Sequence, residues 1–144
     1  MSEIYTEIPQ GSKEWFDLRL GSIGGSGIST VVSSGSGRRQ YMLKRASEII
    51  TGVRAEDFKF KYADRGHEFE PAARDLYSFR YGVNVDQVAL IKDGPYKHHS
   101  PDGLVGDDGM IEIKVRLPHV FLEITEDNKP MSTSDRMQVQ WGLK

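Results

Sequence analysis

Apolar residues recur at helical spacing through much of the chain and at strand spacing in its second half. Ser12 is placed to cap a short helix over Lys13–Leu20, where Trp15 and Leu18, three apart, face a core and Gly21 ends the run. Arg19 falls off that apolar face. In the glycine-rich stretch 22–29, Ser26 is placed to cap a further turn of helix reaching Val32, and a helix N-terminus of this kind suits a phosphate. Residues 33–37 read as a small-residue linker. Gln40–Thr51 follows as a helix with Leu43, Ala46, Ile49 and Ile50 on its buried face, Lys44 and Arg45 opposite, and Gly52 as its stop. Lys61–Tyr81 is the longest helical pattern, with Phe69, Ala72, Ala73 and Leu76 as the buried stripe. Pro71 lies inside it, so the helix either runs through the proline or begins near Glu68–Glu70 with Pro71 in its first turn.

Beyond Gly82 the pattern changes. Val83–Ile91 has the β-branched content of a strand, residues 92–95 form a turn, and Tyr96–His99 is a second strand. Pro118–Ile124 is a short helix, residues 125–134 are polar and expected to be mobile, and Asp135–Lys144 is a last helix carrying Met137, Gln138, Gln140 and Trp141.

The candidate chemistry lies between these elements, in Ser100–Arg116. Strand alternation sends Ile111 and Ile113 to a core and stands Glu112 and Lys114 together on the opposite face. Gly106-Asp107-Asp108-Gly109 reverses the chain, which brings Asp102 alongside Glu112. Two carboxylates offer hard oxygen ligands to Mg²⁺ or Mn²⁺, and a lysine beside them offsets charge on a phosphate, the needs of phosphodiester hydrolysis. A Glu-x-Lys on a strand is most often an exposed surface pair. The Ser-Pro-Asp-Gly ten residues before Glu112 sets this one apart, and the hairpin resembles the motif of the PD-(D/E)XK nucleases.

Composition narrows the setting. With 144 residues, 38% hydrophobic and 28% charged, the chain suits one domain able to bury roughly two-thirds of its unfolded surface. It has no cysteine, which excludes disulfides and thiolate metal sites and fits a reducing compartment. There is no apolar run of membrane-spanning length and no signal-peptide pattern at the start, so a cytoplasmic protein is expected. A net charge of −2 argues against coating nucleic acid by bulk electrostatics. Any DNA contact is local, from candidates such as Arg38, Arg39, Lys44, Arg45, Arg19, Arg65 and Arg74.

Along nearly its whole length the chain resembles the phage lambda exonuclease branch of that superfamily, the YqaJ-type viral recombinases. The resemblance runs through Trp15–Gly21, Ile23-Gly-Gly-Ser26, Arg65-Gly-His-Glu-Phe-Glu-Pro-Ala-Ala-Arg74, Gly82-Val-Asn-Val85, Ser100-Pro-Asp-Gly-Leu104, Ile111-Glu-Ile-Lys114 and Gln138-Val-Gln140. It implies an α/β restriction-endonuclease-like core, a mixed central sheet flanked by helices. It implies that Asp102 and Glu112 bind Mg²⁺, or Mn²⁺ in its place, with the Ile113 carbonyl as a further ligand, and that Lys114 is the catalytic lysine. Glu70 matches the helical acid of such sites, with Glu68 as the alternative register. Arg19 and Ser26 match positions that handle the 5′-phosphate end or the phosphate at the scissile bond. Gln138 matches the glutamine near the active site, with Gln140 as its neighbour. His67, His98, His99 and His119 are read as structural or exposed.

The resemblance further implies a 5′ to 3′ exonuclease on double-stranded DNA ends, working in phage recombination with a single-strand annealing protein, as a toroidal trimer, in the host cytoplasm. Family members continue into further strands and a C-terminal helix that this sequence lacks, which is expected to reflect truncation of a single 1–144 nuclease domain. The alternatives are a RecB-type or CRISPR-associated nuclease, whose iron–sulfur clusters this cysteine-free chain cannot hold, and a DNA-end-binding module without turnover.

Overall fold

The computed structural model describes residues 2–55, 61–126 and 131–143, excepting the side chains of 61–67 and 126, so the side chains of Arg65 and His67 lie outside it. The elements in order are β1 (Ser2–Tyr5), α1 (Lys13–Arg19), β2 (Ile23–Gly24), a 3-10 turn (Gly25–Gly27), α2 (Ile28–Val32), α3 (Ser36–Thr51), α4 (Lys61–Tyr81), β3 (Leu90–Asp93), β4 (Lys97–His99), β5 (Gly103–Val105), β6 (Gly109–Ile111), α5 (Pro118–Glu126) and α6 (Thr133–Gly142). The fold is mixed α/β. One sheet runs in the order β1-β3-β4-β2, antiparallel except for the parallel pair β2 and β4, and β5 pairs with β6 in a separate hairpin. Among the described residues no helix is long and apolar enough to cross a membrane.

The first strand was not foreseen, and Val83–Ile91 is mostly not strand. Only its end enters the sheet, as β3, while Asp86 makes a lone bridge to Leu104 that ties the hairpin to the rest. β3 continues through Asp93, and the turn falls at Gly94, whose φ of 70° suits glycine. The tight core is formed by Val88, Ala89, Leu90 and Ile111.

Two helices bury a face other than the apolar one. α3 begins at Ser36, inside the expected linker, and turns Glu48 inward while Leu43, Ile49 and Ile50 are exposed. The Glu48 side chain has work there that no apolar residue could do. Its Oε2 accepts from the Gly21 amide at 3.0 Å, its Oε1 accepts from the Ala55 amide at 3.1 Å, and Arg45 pairs with it at 3.1 Å. Satisfying these otherwise orphaned donors around one buried carboxylate sets the rotation of the helix.

In α4, which runs through Pro71, Phe69 and Leu76 are exposed. The inward residues are Glu70, Ala73, Arg74, Tyr77 and Ser78, a stripe with the same helical spacing shifted by about one position. Arg74 Nε donates to the Asp102 carbonyl at 3.0 Å, so this rotation docks the helix on the hairpin and carries Glu70 with it.

Candidate active site

α1 forms as the sequence dictates. Ser12 caps it, accepting from the Trp15 amide at 3.2 Å. Arg19, however, does not leave the apolar face: its guanidinium lies 3.7 Å from the centre of the Trp15 ring, one turn back. Ser26 sits in the 3-10 turn and caps nothing, because α2 starts after Gly27 and has no side-chain cap.

The adjacent glycines are explained by sterics. A Cβ on Gly24 would stand 2.5 Å from His98 Nε2, and one on Gly25 would stand 2.4 Å from His99 Nδ1. Their lack of side chains makes room for two buried imidazoles on the neighbouring strand.

The acidic hairpin places Asp102 just before β5 and Glu112 just after β6, since the ladder ends at Ile111 and residues 112–114 continue beyond it. The Asp102 amide donates to the Ile111 carbonyl at 3.2 Å, and its Oδ2 accepts from the Ile113 amide at 2.5 Å. Glu112 and Lys114 come together there, although both lie past the end of the strand. Lys114 Nζ donates to Glu112 Oε1 at 2.7 Å and to Gln138 Oε1 at 3.0 Å, while Gln138 Nε2 donates to the same Glu112 oxygen at 2.5 Å. The three side chains therefore form a closed triangle.

Gln138 reaches that triangle because α6 is pinned nearby. Ser132 caps the helix, accepting from the Asp135 amide at 3.1 Å, and Arg116 pairs with Asp135. Gln140, two residues on, is exposed and does not accompany it, since positions two apart on a helix face different ways.

A cavity of about 150 Å³ gathers Arg19, Ser26, Glu70, Asp102 and Gln138, along with Gln10, Trp15, His98 and His99. Glu112, Ile113 and Lys114 do not line it; they join it through Gln138 and the Asp102 bond to the Ile113 amide. A larger cavity of about 390 Å³ shares Gln10 and Glu70 with it and reaches Arg74. Glu68 is exposed and lines neither, whereas Glu70 lines both.

Burial disfavours the charged form of both acids at the site. Burial pushes the Asp102 carboxyl up, against the opposing Ile113 amide bond and with help from the Glu70 charge. Burial likewise pushes Glu112 up, against the opposing bond from Lys114. The Glu112 side chain is 7% exposed, and its Oε2 is buried without a hydrogen-bond partner. Burial, with neighbouring cations, drives His98 down to about 3 and His99 down to about 4, so both rings are neutral near pH 7. His99 Nε2 stands 3.7 Å from Glu112 Oε2, too far for a hydrogen bond.

His98 and His99, read from the sequence as structural or exposed, are buried, and their contacts with Arg19 and with the two glycines were not foreseen. Their tandem position in a strand directly before Ser-Pro-Asp, opposite a Gly-Gly in the other short strand, was the available signal. His119 is exposed as expected.

Residues 14–144 match the YqaJ-like viral recombinase domain. The chain belongs to this family. Among solved structures, the YqaJ-like chain is similar to LHK-Exo, an alkaline exonuclease from Laribacter hongkongensis, at 33% identity with a TM-score of 0.75 over 88% of this chain. LHK-Exo in complex with dAMP gives a TM-score of 0.78 at 33% identity over 90% of this chain. The YqaJ-like chain spans just under two thirds of that protein's length, 66% and 64% in the two structures. No curated protein matches the sequence.

Proposed function

We propose that this chain is the catalytic part of a metal-dependent exonuclease that degrades double-stranded DNA from its ends, 5′ to 3′, in phage-type recombination. The observation that carries this reading is the hydrogen-bonded triangle of Glu112, Lys114 and Gln138, with Asp102 held to the intervening Ile113 amide, beside a cavity that also holds Arg19 and Glu70. Membership of a recombinase family and likeness to an alkaline exonuclease seen with a deoxynucleoside monophosphate support it.

Among the described residues no three His, Asp or Glu side chains stand together as a ready-made ion cage. What the chain offers is two carboxylates and the Ile113 carbonyl, and the donor chemistry fits a hard dication such as Mg²⁺ or Mn²⁺. The partnerless buried Glu112 Oε2 and the raised pKa of both acids point the same way, since a cation would offset what burial costs them. Bound there, the ion would supply Lewis acidity toward the phosphodiester.

The chain's own groups do the rest. Lys114 places positive charge next to Glu112, where negative charge on the phosphate grows during cleavage. Gln138 holds both in register. Glu70 adds a further acid beside Asp102, and the Arg19 guanidinium and Ser26 hydroxyl face the same cavity, where they would hold a terminal 5′-phosphate. A single-strand annealing partner, a homotrimer and action in the host cytoplasm complete the proposal.

Two measurements address it. Initiation on linear duplexes is expected to be faster with a 5′-phosphate than with a 5′-hydroxyl, and Arg19→Ala to reduce that preference roughly ten- to a hundredfold, the range for a hydrogen bond to a charged group. Degradation of neither duplex would refute the exonuclease reading, and equal rates would remove the end-sensing role.

The second is a thermal shift. An acid whose folded pKa is raised stabilises the fold below its ordinary pKa, and that contribution is lost as pH rises through the folded value, so at neutral pH the Asp102 anion costs stability. Mg²⁺ at a hundred times its Kd should then stabilise the protein by about 2.7 kcal/mol. Asp102→Asn should raise the metal-free Tm and abolish the Mg²⁺ response. An equal response in that variant would place the ion elsewhere.

A further inference from the structure

His98 is 2% exposed and belongs to none of the motifs that carry the proposed chemistry, yet both its ring nitrogens are engaged. Nδ1 lies 2.7 Å from Ser22 Oγ, and Nε2 lies 3.0 Å from Arg19 Nε. Ser22 Oγ is also 2.8 Å from the main-chain carbonyl of Arg19, which has no proton to give. The single hydroxyl proton is therefore committed to that carbonyl, and Ser22 Oγ must accept from His98 Nδ1–H. Arg19 Nε is always a donor, so His98 Nε2 must present its lone pair. Only the neutral imidazole with its proton on Nδ1 satisfies all three bonds, and the very low pKa of His98 agrees.

These bonds close a ring that leaves the Arg19 side chain and returns to the Arg19 carbonyl. Trp15 holds the guanidinium at 3.7 Å, and its own indole N–H donates to the Ala89 carbonyl at 3.1 Å. The strand carrying His98 is fixed in turn by Trp141 Nε1 donating to the His98 carbonyl at 3.1 Å.

We infer that His98 is a positioning residue, locked by Ser22 as the Nδ1–H imidazole so that it aims the Arg19 guanidinium into the cavity shared with Ser26 and Asp102, where it meets a phosphate. This rests on the reading of Arg19 as a phosphate ligand. A neutral acceptor suits the task better than a carboxylate. An acid in this place would also bind Arg19 Nε, but it would cancel the charge that attracts the phosphate. Presetting a long, rotamer-rich side chain also removes an ordering cost from binding.

Two experiments test the inference. In ¹⁵N-resolved NMR of the histidine rings at neutral pH, His98 should carry its proton on Nδ1 with Nε2 bare; a proton on Nε2 would overturn the inference whatever the enzyme does. In the end-preference assay, His98→Leu should reduce the advantage of a 5′-phosphate roughly tenfold, as expected for losing one hydrogen bond to a charged group. His98→Gln, whose amide oxygen can replace Nε2 as acceptor, should restore most of it, and His98→Leu should add nothing in an Arg19→Ala background. If Arg19→Ala loses the preference and His98→Leu keeps it, the inference is wrong and the phosphate reading stands. If Arg19→Ala keeps it too, the phosphate reading fails and the inference with it. Should His98→Leu not fold, Ser22→Ala carries the test: it leaves the ring in place and is expected to lower the preference roughly threefold, an unchanged preference counting against the inference.

Discussion

Lys114→Ala is expected to lower the rate of DNA cleavage by roughly a hundred- to a thousandfold while leaving affinity for the duplex nearly unchanged. That is the usual cost of removing one preorganised electrostatic group from a reacting centre. The Lys114 ammonium touches Glu112 and Gln138, at 2.7 and 3.0 Å, which under the proposed function puts it at the reacting centre rather than in the grip on the duplex. A second consequence follows from the charges. Lys114 opposes the upward push of burial on the Glu112 carboxyl, so its loss should raise that pKa further and displace the acid limb of the pH–rate profile to higher pH. Lys114→Arg is not expected to rescue the rate, because a planar guanidinium cannot replace a compact ammonium within so tight a triangle. A parallel loss of binding and cleavage would favour a DNA-end-binding module over an enzyme, and cleavage at the wild-type rate would remove Lys114 from the chemistry.

Acid should unfold this protein unusually early. His98 and His99 have pKa values of about 3 and about 4 in the fold, against an ordinary value near 6.5. A histidine with a depressed folded pKa stabilises the native state fully above its unfolded pKa. That contribution is lost as pH falls from the unfolded value toward the folded one. Each histidine therefore costs up to about 1.4 kcal/mol per pH unit below roughly 6.5, and the two together approach the whole stability of a typical domain by about pH 4. Asp102 and Glu112, whose pKa values are raised by burial, act in the opposite sense. Denaturant unfolding across a pH series is the measurement. His98→Gln should be less stable at pH 7 and show a flatter slope, and a wild-type stability constant between pH 7 and pH 5 would contradict the burial of neutral imidazoles.

How much of this was legible beforehand depended on where the information sat. The acidic hairpin was readable because its determinants are local: a Gly-Asp-Asp-Gly reversal, strand alternation and a short loop bring Asp102 and Glu112 together with no help from the rest of the chain. The Ser12 cap and the span of the longest helix were readable for the same reason. Helix rotation was not. Leu43, Ile49 and Ile50 outnumber the polar residues that face inward on α3, yet one carboxylate binding two amides and an arginine outweighs them, and no periodicity reports such a tertiary need.

The same limit explains Arg19 and the two histidines. The Arg19 stack on Trp15 has helical spacing and could have been seen, but its bond to His98 spans 79 residues. The reason for Gly24 and Gly25 appears only when β2 and β4 are laid side by side.

The most direct test of the account is digestion of double-stranded DNA by the purified protein, comparing linear with covalently closed circular molecules, with Mg²⁺ and with chelator. The account predicts Mg²⁺-dependent loss of the linear DNA, circles left intact, and no digestion by Glu112→Gln. Digestion that persists in chelator, that consumes closed circles equally, or that survives Glu112→Gln would contradict it.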